Sequence, residues 1–320
     1  LLKMKIIKNI FELNKAIKNY NNIGFVPTMG GIHNGHASLI KTSQKKKLKT
    51  IVSIFVNPTQ FNQKKDFNRY PRNIKKDIQI LKKLKVEYLF IPSVNEIYKK
   101  RMKKFNLKHS EKILCAKYRI GHFEGVLNVM NRLLSLIKSK YVFMGEKDFQ
   151  QYTLVKRILG KKYKINIVGC PIIRDKNKIA LSTRNNLLNK TSIKKASNIA
   201  KKLINLKKKI NSKRLNNPIN LLKIKSDIEK HYSIKVDYLD FRNEADLKLS
   251  NSKYKIYFHK KNIGKGGAIK TAKKYISGQI VIIQDADLEY DPRDYYKIIR
   301  PIENKSFQVV YGSRVMGKNR

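Results

Sequence analysis

Cysteine is nearly missing: Cys115 and Cys170 are the only two among 320 residues. They lie far apart, so there is no disulfide framework and no Cys-x-x-Cys motif. A reducing compartment suits such a chain. Acidic residues are scarce too, with 22 Asp and Glu against 72 Lys and Arg, a formal net charge of +50. No apolar run approaches the ~18 residues needed to span a bilayer. No signal-peptide core opens the chain, so a cytoplasmic location and no membrane partner are expected. The opening Leu1-Leu2-Lys3-Met4 points to Met4 as the natural start.

A charge this large ordinarily suggests nucleic acid. Here Lys, Asn and Ile recur in every part of the chain, as an A+T-rich genome gives. Runs such as Gln44-Lys45-Lys46-Lys47 and Lys207-Lys208-Lys209 read as solvated helix faces. No specific nucleic-acid partner is therefore expected. An apolar share of 41% is enough for real cores, and 320 residues fit one large or two ordinary domains.

What the sequence does have is one dense segment, Val26 to Ser38, reading Val-Pro-Thr-Met-Gly-Gly-Ile-His-Asn-Gly-His-Ala-Ser. An apolar run ends at Pro27, a glycine turn follows, and His33 and His36 fall at the expected start of a helix. Gly30, Gly31 and Gly35 let backbone approach a ligand closely. A helix N-terminus offers free N–H groups and a positive dipole end. Two imidazoles on one helical face can donate to a phosphate as charge builds on it. Core packing and a shared zinc ion are the competing readings, but no compact third ligand is visible.

Short apolar runs read as buried strands at Gly24–Pro27, Ile51–Val56, Glu87–Ile91, Tyr141–Met144 and Ile165–Val168. Helical patterns lie between them at His36–Gln44, Ile74–Leu84, Val126–Lys138 and Phe149–Leu159. The alternation predicts an α/β, doubly wound parallel sheet, with ligands at the carboxyl ends of strands. The His pair, Asn57–Gln60 and Gly145–Gln151 all follow strands. Helical, Lys-rich sequence dominates Ile179 to Ser250, with a polar break near Asn211–Pro218. A smaller α+β domain is expected past Arg174.

The His segment resembles the signature of the pantothenate synthetase (pantoate–beta-alanine ligase) family. So do Val52 to Phe61, Tyr70-Pro71-Arg72, Gly121 to Val126, Phe143 to Gln151 and Arg174 to Asn185; Val236 to Leu239 matches more weakly. The resemblance implies a Rossmann-like nucleotidyltransferase fold of the H-x-G-H type, and a two-step amide synthesis through pantoyl adenylate. It implies ATP and Mg²⁺, the substrates pantoate and beta-alanine, and a homodimer. It places Met29, Gly30, Gly31, His33, Gly35, His36, Gly145, Glu146, Lys147, Asp148, Ile173, Leu181, Ser182, Thr183 and Arg184 around ATP. His36 is the implied proton donor beside His33, while Lys147 and Arg184 supply fixed positive charge. Pro27, Met29, Gln60 and Gln151 are implied for the substrates, and Asp77 for the metal. Leu181 stands where the family usually has Met, a volume-conserving swap. Asp148 also reads as a helix N-cap.

After about Tyr257 the chain leaves that pattern. Lys260 to Ala268, Gly278 to Asp287 and Tyr311-Gly312-Ser313-Arg314 resemble the middle of a dolichyl-phosphate mannosyltransferase-like glycosyltransferase. Asp285-Ala286-Asp287 follows an apolar run, where a D-x-D pair binds a divalent cation. That family's opening strand has no counterpart here. The tail therefore reads as a joined fragment, an incomplete α/β sheet with Asp285 and Asp287 as a vestigial metal pair. Gly264–Thr271 misses the phosphate-loop pattern because Ile269 precedes Lys270-Thr271. The expected domains are 1–174, 175–257 and 258–320. Two competing functions are a sugar-nucleotide transferase and an RNA-linked adenylating enzyme, since class I aminoacyl-tRNA synthetases share the His-x-Gly-His pair.

Overall fold

Six parallel strands make one sheet: β1 (Lys5–Ile7), β2 (Ile23–Thr28), β3 (Lys49–Ile54), β4 (Tyr88–Phe90), β5 (Tyr141–Gly145) and β6 (Asn166–Cys170). Their order is β1-β4-β3-β2-β5-β6. From β2 the chain winds outward through β3 and β4, then returns to start β5 on the other side. The seam between β2 and β5 is thus the switch point, where open α/β sheets bind ligands. This computed structural model describes residues 4–98, 104–211, 220–244, 246–248, 262–274, 276, 280–283, 295–304 and 306.

Alternation along the strands builds a core on each face. Phe25, Ile51 and Val142 pack with Leu13 and Ile17 of α1 (Ile10–Ile17). Val26, Val52 and Phe143 pack on the other face with Leu39 and Ile40 of α2 (Asn34–Lys45) and Leu81 of α3 (Ile74–Lys83). The first face is completed by α4 (His122–Ile137) and α5 (Phe149–Val155). Strands buried on both faces read as continuous apolar runs, which is why β2 to β5 were visible in the sequence.

The helix expected over Phe149–Leu159 is broken. It ends at Val155, a π-helical turn covers Lys156–Gly160, and a last turn runs Lys161–Tyr163. The wide turn leaves Val155 and Leu159 both fully buried. Beyond Arg174 come α6 (Lys190–Asn211) and α7 (Leu221–Tyr232). Lys195 Nζ donates to Tyr232 O at 2.9 Å, tying the two. Among the described residues of 175–248 there is no strand; an isolated antiparallel bridge joins Arg174 and Ala180, and Arg242 is a further bridge residue.

The chain divides into two compact units, Leu1–Ser250 and Asn251–Arg320. In the second, α8 (Gly264–Lys273) and α9 (Tyr295–Glu303) are described. Val281 and Ile283, expected in an apolar strand, are exposed and outside regular structure. Asp285, Asp287 and the Tyr311–Arg314 block lie outside the described residues. No described helix is long and apolar enough to cross a membrane.

Candidate active site

A missing donor opens the site. Ile23 O accepts from Lys140 N on the β5 side, so by alternation Phe25 and Pro27 face β5 as well. Pro27 has no N–H, and the registered pairing of β2 with β5 stops at Phe25–Val142. Pro27, Thr28, Met144 and Gly145 line the cavity that lies past this point.

The loop after β2 is held by its backbone. Thr28 Oγ1 donates to Ser53 O at 2.7 Å and accepts from Gly30 N at 3.2 Å. Gly30 and Gly31 have φ of +82° and +63°, a region that favours glycine. Asp77 reaches over from α3, its Oδ2 accepting from Gly31 N at 2.9 Å and its Oδ1 from Ile32 N at 2.8 Å. This carboxylate is buried, does not line the cavity, and has the loop as its partner.

His33 caps α2. Its Nδ1 accepts from Gly35 N at 3.0 Å, and His36 Nδ1 accepts from His33 N at 3.4 Å. Both Nδ1 atoms are acceptors, so in each neutral ring the proton sits on Nε2. The rings lie 4.2 Å apart, centroid to centroid, and both line the cavity. Burial lowers the pKa of His33, with Lys147 adding to the effect. His36 is pushed down to about 3, by burial first and then by His33 and Lys147. In the free protein His36 is therefore a neutral hydrogen-bond donor, not the imidazolium that a proton donor requires.

Cations sit on the opposite walls. Lys147, in the turn after β5, is paired with Asp148 at 3.0 Å, both half-exposed. Ser182 Oγ accepts from Arg184 N at 3.3 Å, shaping the Ser182-Thr183-Arg184 turn. Thr183 Oγ1 donates to Gly31 O at 3.4 Å, tying this turn to the His loop. A Cβ on Gly31 would fall 2.3 Å from Thr183 Cγ2. Met29, Gly35, Asp148, Gln151, Ile173 and Leu181 also line the cavity. Gly30, Gly31 and Glu146 do not; Glu146 lies against Gly169 of β6.

Gln60 is buried at the end of a short turn, Pro58–Gln60. Asn57 Nδ2 donates to Gln60 Oε1 at 3.1 Å and to Gly125 O at 3.2 Å. Asn57 Oδ1 accepts from Thr59 N and Tyr98 OH. The amide of Gln60 is thus orientated, with Nε2 placed 2.8 Å from Met29 Sδ. Its turn lies directly on α4: a Cβ on Gly125 would fall 2.4 Å from Thr59 O.

Several cavity residues were not singled out from sequence. His122 Nδ1 donates to Gln60 O at 2.7 Å. Its pKa falls to about 4, chiefly through burial, with the Gln60 carbonyl opposing and Arg119 assisting. Arg119 loses hydration by burial and is further disfavoured by Arg184. Among the described residues no carboxylate forms an ion pair with Arg119. Tyr70 lies under Arg184, 5.6 Å from ring centroid to guanidinium. Tyr70-Pro71-Arg72 and Gly121-His122 fall within the blocks that carry the family resemblance, but nothing in their spacing marks a role.

A family model described as pantoate-beta-alanine ligase matches residues 5–272. A second, described as glycosyl transferase family 2, matches residues 241–319 and overlaps the first. The chain is 37% identical to the pantothenate synthetase of Fervidobacterium nodosum over 254 residues, 77% of this chain and 89% of that one. The enzyme of Endomicrobium trichonymphae is 44% identical over 207 residues, 62% of this chain and 73% of its own. A pantoate-beta-alanine ligase structure from Francisella tularensis, complexed with beta-gamma ATP and beta-alanine, aligns at TM-score 0.66 and 38% identity, covering 75% of this chain and 90% of that one. Pantothenate synthetase from Thermus thermophilus aligns at TM-score 0.69 and 29% identity, covering 77% and 90%. With this extent of sequence and fold in common, the chain belongs to the pantoate-beta-alanine ligase family.

Proposed function

We propose that the cavity at the β2–β5 seam carries out both steps of the family reaction. In the first, an oxygen of the pantoate carboxylate attacks the α-phosphorus of ATP and pyrophosphate leaves. In the second, the amine of beta-alanine attacks the acyl carbon of pantoyl adenylate and AMP leaves. Neither step needs a covalent enzyme intermediate, so positioning and charge stabilisation carry the catalysis.

The observation that carries this reading is the convergence on one cavity of two Nε2–H donors, two cations and a hydroxyl-bearing turn. His33 and His36 donate to phosphate oxygens as neutral rings. Lys147 and Arg184 offset phosphate charge, and Ser182, whose Oγ only accepts within its turn, adds a hydroxyl donor while Thr183 ties that turn to the His loop. Gln60, held by Asn57, and Gln151 receive the hydroxyl groups of pantoate, since an amide both donates and accepts. Arg119 is a desolvated cation suited to the carboxylate of beta-alanine.

The described residues do not build a protein-held Mg²⁺ site. Asp77 accepts from two loop amides, and no group of three or more His, Cys, Asp or Glu among the described residues suits a metal. Magnesium that accompanies ATP takes its ligands from phosphate oxygens and water, and no step here runs through it. A homodimer and the 1–174, 175–257 and 258–320 domains belong to the same reading; light scattering and limited proteolysis of the full chain test them.

The deciding experiment is exchange of labelled pyrophosphate into ATP. Exchange that depends on pantoate is expected. Exchange supported by an amino acid, with pantoate inert, would favour the RNA-linked adenylating reading instead.

A further inference from the structure

Arg119 is carried into the cavity wall by a strained piece of backbone. It follows a single helical turn, Cys115–Tyr118, and its N–H donates to Cys115 O at 2.9 Å. The turn is entered through Leu114, at φ +51° and ψ −129°. A leucine there is strained, and such a conformation persists only where surrounding contacts impose it. Gln150, the neighbour of the cavity residue Gln151, supplies one contact: its Nε2 donates to Ile113 O at 2.8 Å. The side chains at the two ends of the turn reach elsewhere. Cys115 Sγ and Tyr238 OH pair at 2.7 Å, and Tyr118 OH donates to Asp237 O at 2.6 Å. The Tyr118 and Tyr238 rings stack with centroids 6.3 Å apart.

Asp237 and Tyr238 belong to the segment that follows α7, and neither lines the cavity. Glu229 of α7 secures that segment. Its Oε1 accepts from Val236 N at 2.8 Å, and its backbone oxygen accepts from Ile234 N at 3.2 Å. The strained turn is therefore pinned from the C-terminal part of the ligase region. Among the described residues no carboxylate pairs with Arg119, so the backbone that carries it sets its place.

We propose that Tyr238 is a positioning residue for the second step: through Cys115 and Tyr118 it holds the turn that sets Arg119 against the carboxylate of beta-alanine. The inference rests on that reading of Arg119 and extends it. It divides the two steps. Adenylate formation, served by the His pair, Lys147 and Arg184, proceeds without this contact, whereas capture of the amine substrate depends on it.

The test uses the full chain with Tyr238→Phe, Cys115→Ala and the two combined. Pantoate-dependent pyrophosphate exchange reports the first step, and AMP release with beta-alanine varied reports both. Each single variant should raise the KM for beta-alanine about fivefold, the scale of one lost hydrogen bond, and leave exchange within about twofold. The double variant should be no worse than either single one, because both remove the same contact. Tyr238→Phe keeps the ring and its stacking, so it removes the hydroxyl without opening a cavity. An unchanged KM for beta-alanine overturns the proposal. An equal loss in exchange also overturns it, by showing a general structural role, and so do additive losses in the double variant. Arg119→Gln is the reference. If it leaves the KM for beta-alanine unchanged, the reading of Arg119 falls and this inference with it; a large rise there beside unaffected Tyr238 variants removes the inference alone. A chain inert with pantoate removes the ligase reading and the inference together.

Discussion

Arg184 Nη2 donates to Asp66 Oδ2 at 2.8 Å while its guanidinium stacks over Tyr70. Both charged side chains are almost half exposed, 43% and 45%, so the pair contributes at most about 1 kcal/mol. Its effect is positional. Asp66 holds the guanidinium beside the cavity, and its charge offsets the mutual repulsion of Arg184 and Arg119.

Asp66→Asn should therefore raise the KM for ATP by up to about fivefold, the scale of one exposed ion pair. Turnover should change less, and Asp66→Glu should restore most of the loss. Steady-state kinetics with ATP varied decide it. An unchanged KM would reduce Asp66–Arg184 to a surface pair without a role in the site.

The two histidines should separate by their second jobs. His36→Ala should lower turnover by roughly 10²–10³-fold, the usual scale for one such donor, with little effect on the KM for ATP. His33→Ala should lose activity and also about 1 kcal/mol of stability, since His33 caps α2. Paired kinetics and denaturant titrations of both variants check this. Full turnover in His36→Ala would return it to core packing.

Stability should fall on mild acidification. His36 and His122 have folded pKa values of about 3 and about 4, below the ordinary 6.5. Between those values and pH 6.5 the unfolded chain binds protons that the folded chain refuses. Unfolding then becomes easier as pH falls, by up to about 1.4 kcal/mol per pH unit for each group. Above pH 6.5 this contribution is flat. Thermal melts from pH 7.5 to pH 4.5 should show the decline, and His122→Asn should make it shallower. A midpoint that does not move with pH contradicts the buried neutral assignment.

The C-terminal segment should transfer no sugar. Incubating the full chain with GDP-mannose or UDP-glucose, Mn²⁺ and a polyprenyl phosphate should give no product. Product formation that Asp287→Ala abolishes would show a working transferase where a remnant is expected.

Much of the fold was legible because parallel strands buried on both faces leave continuous apolar runs. Phe25, Val26, Ile51 and Val52 announce β2 and β3 without help from their surroundings. The edge strand β1 did not show: Lys5 to Ile7 is three residues long, with only Ile7 buried. The π-helical turn was equally hidden, because one extra residue in a turn leaves an apolar helix still looking helical. In the site, the His segment could be read because glycines and imidazoles at that spacing have few other uses. Asp66, Tyr70 and Arg119 could not. Asp66 sits among Lys64 and Lys65, and its partner Arg184 comes from a segment remote in sequence. The burial that sets Arg119 apart is created by the fold.

The missing N–H of Pro27 has one more effect. β2 is registered to β3 from Ile23 to Thr28, but to β5 only at Gly24 and Phe25. The sheet's thinnest seam thus runs beneath the candidate site, with the imidazoles on one bank and Lys147 and Gln151 on the other. Opening of a protein begins where its hydrogen-bond ladder is shortest, so amide protons along this seam should exchange before those of the flanking ladders. A ligand that touches both banks would act as the rungs Pro27 left out and close the sheet, and slowed exchange at the seam would then be a direct gauge of its occupancy.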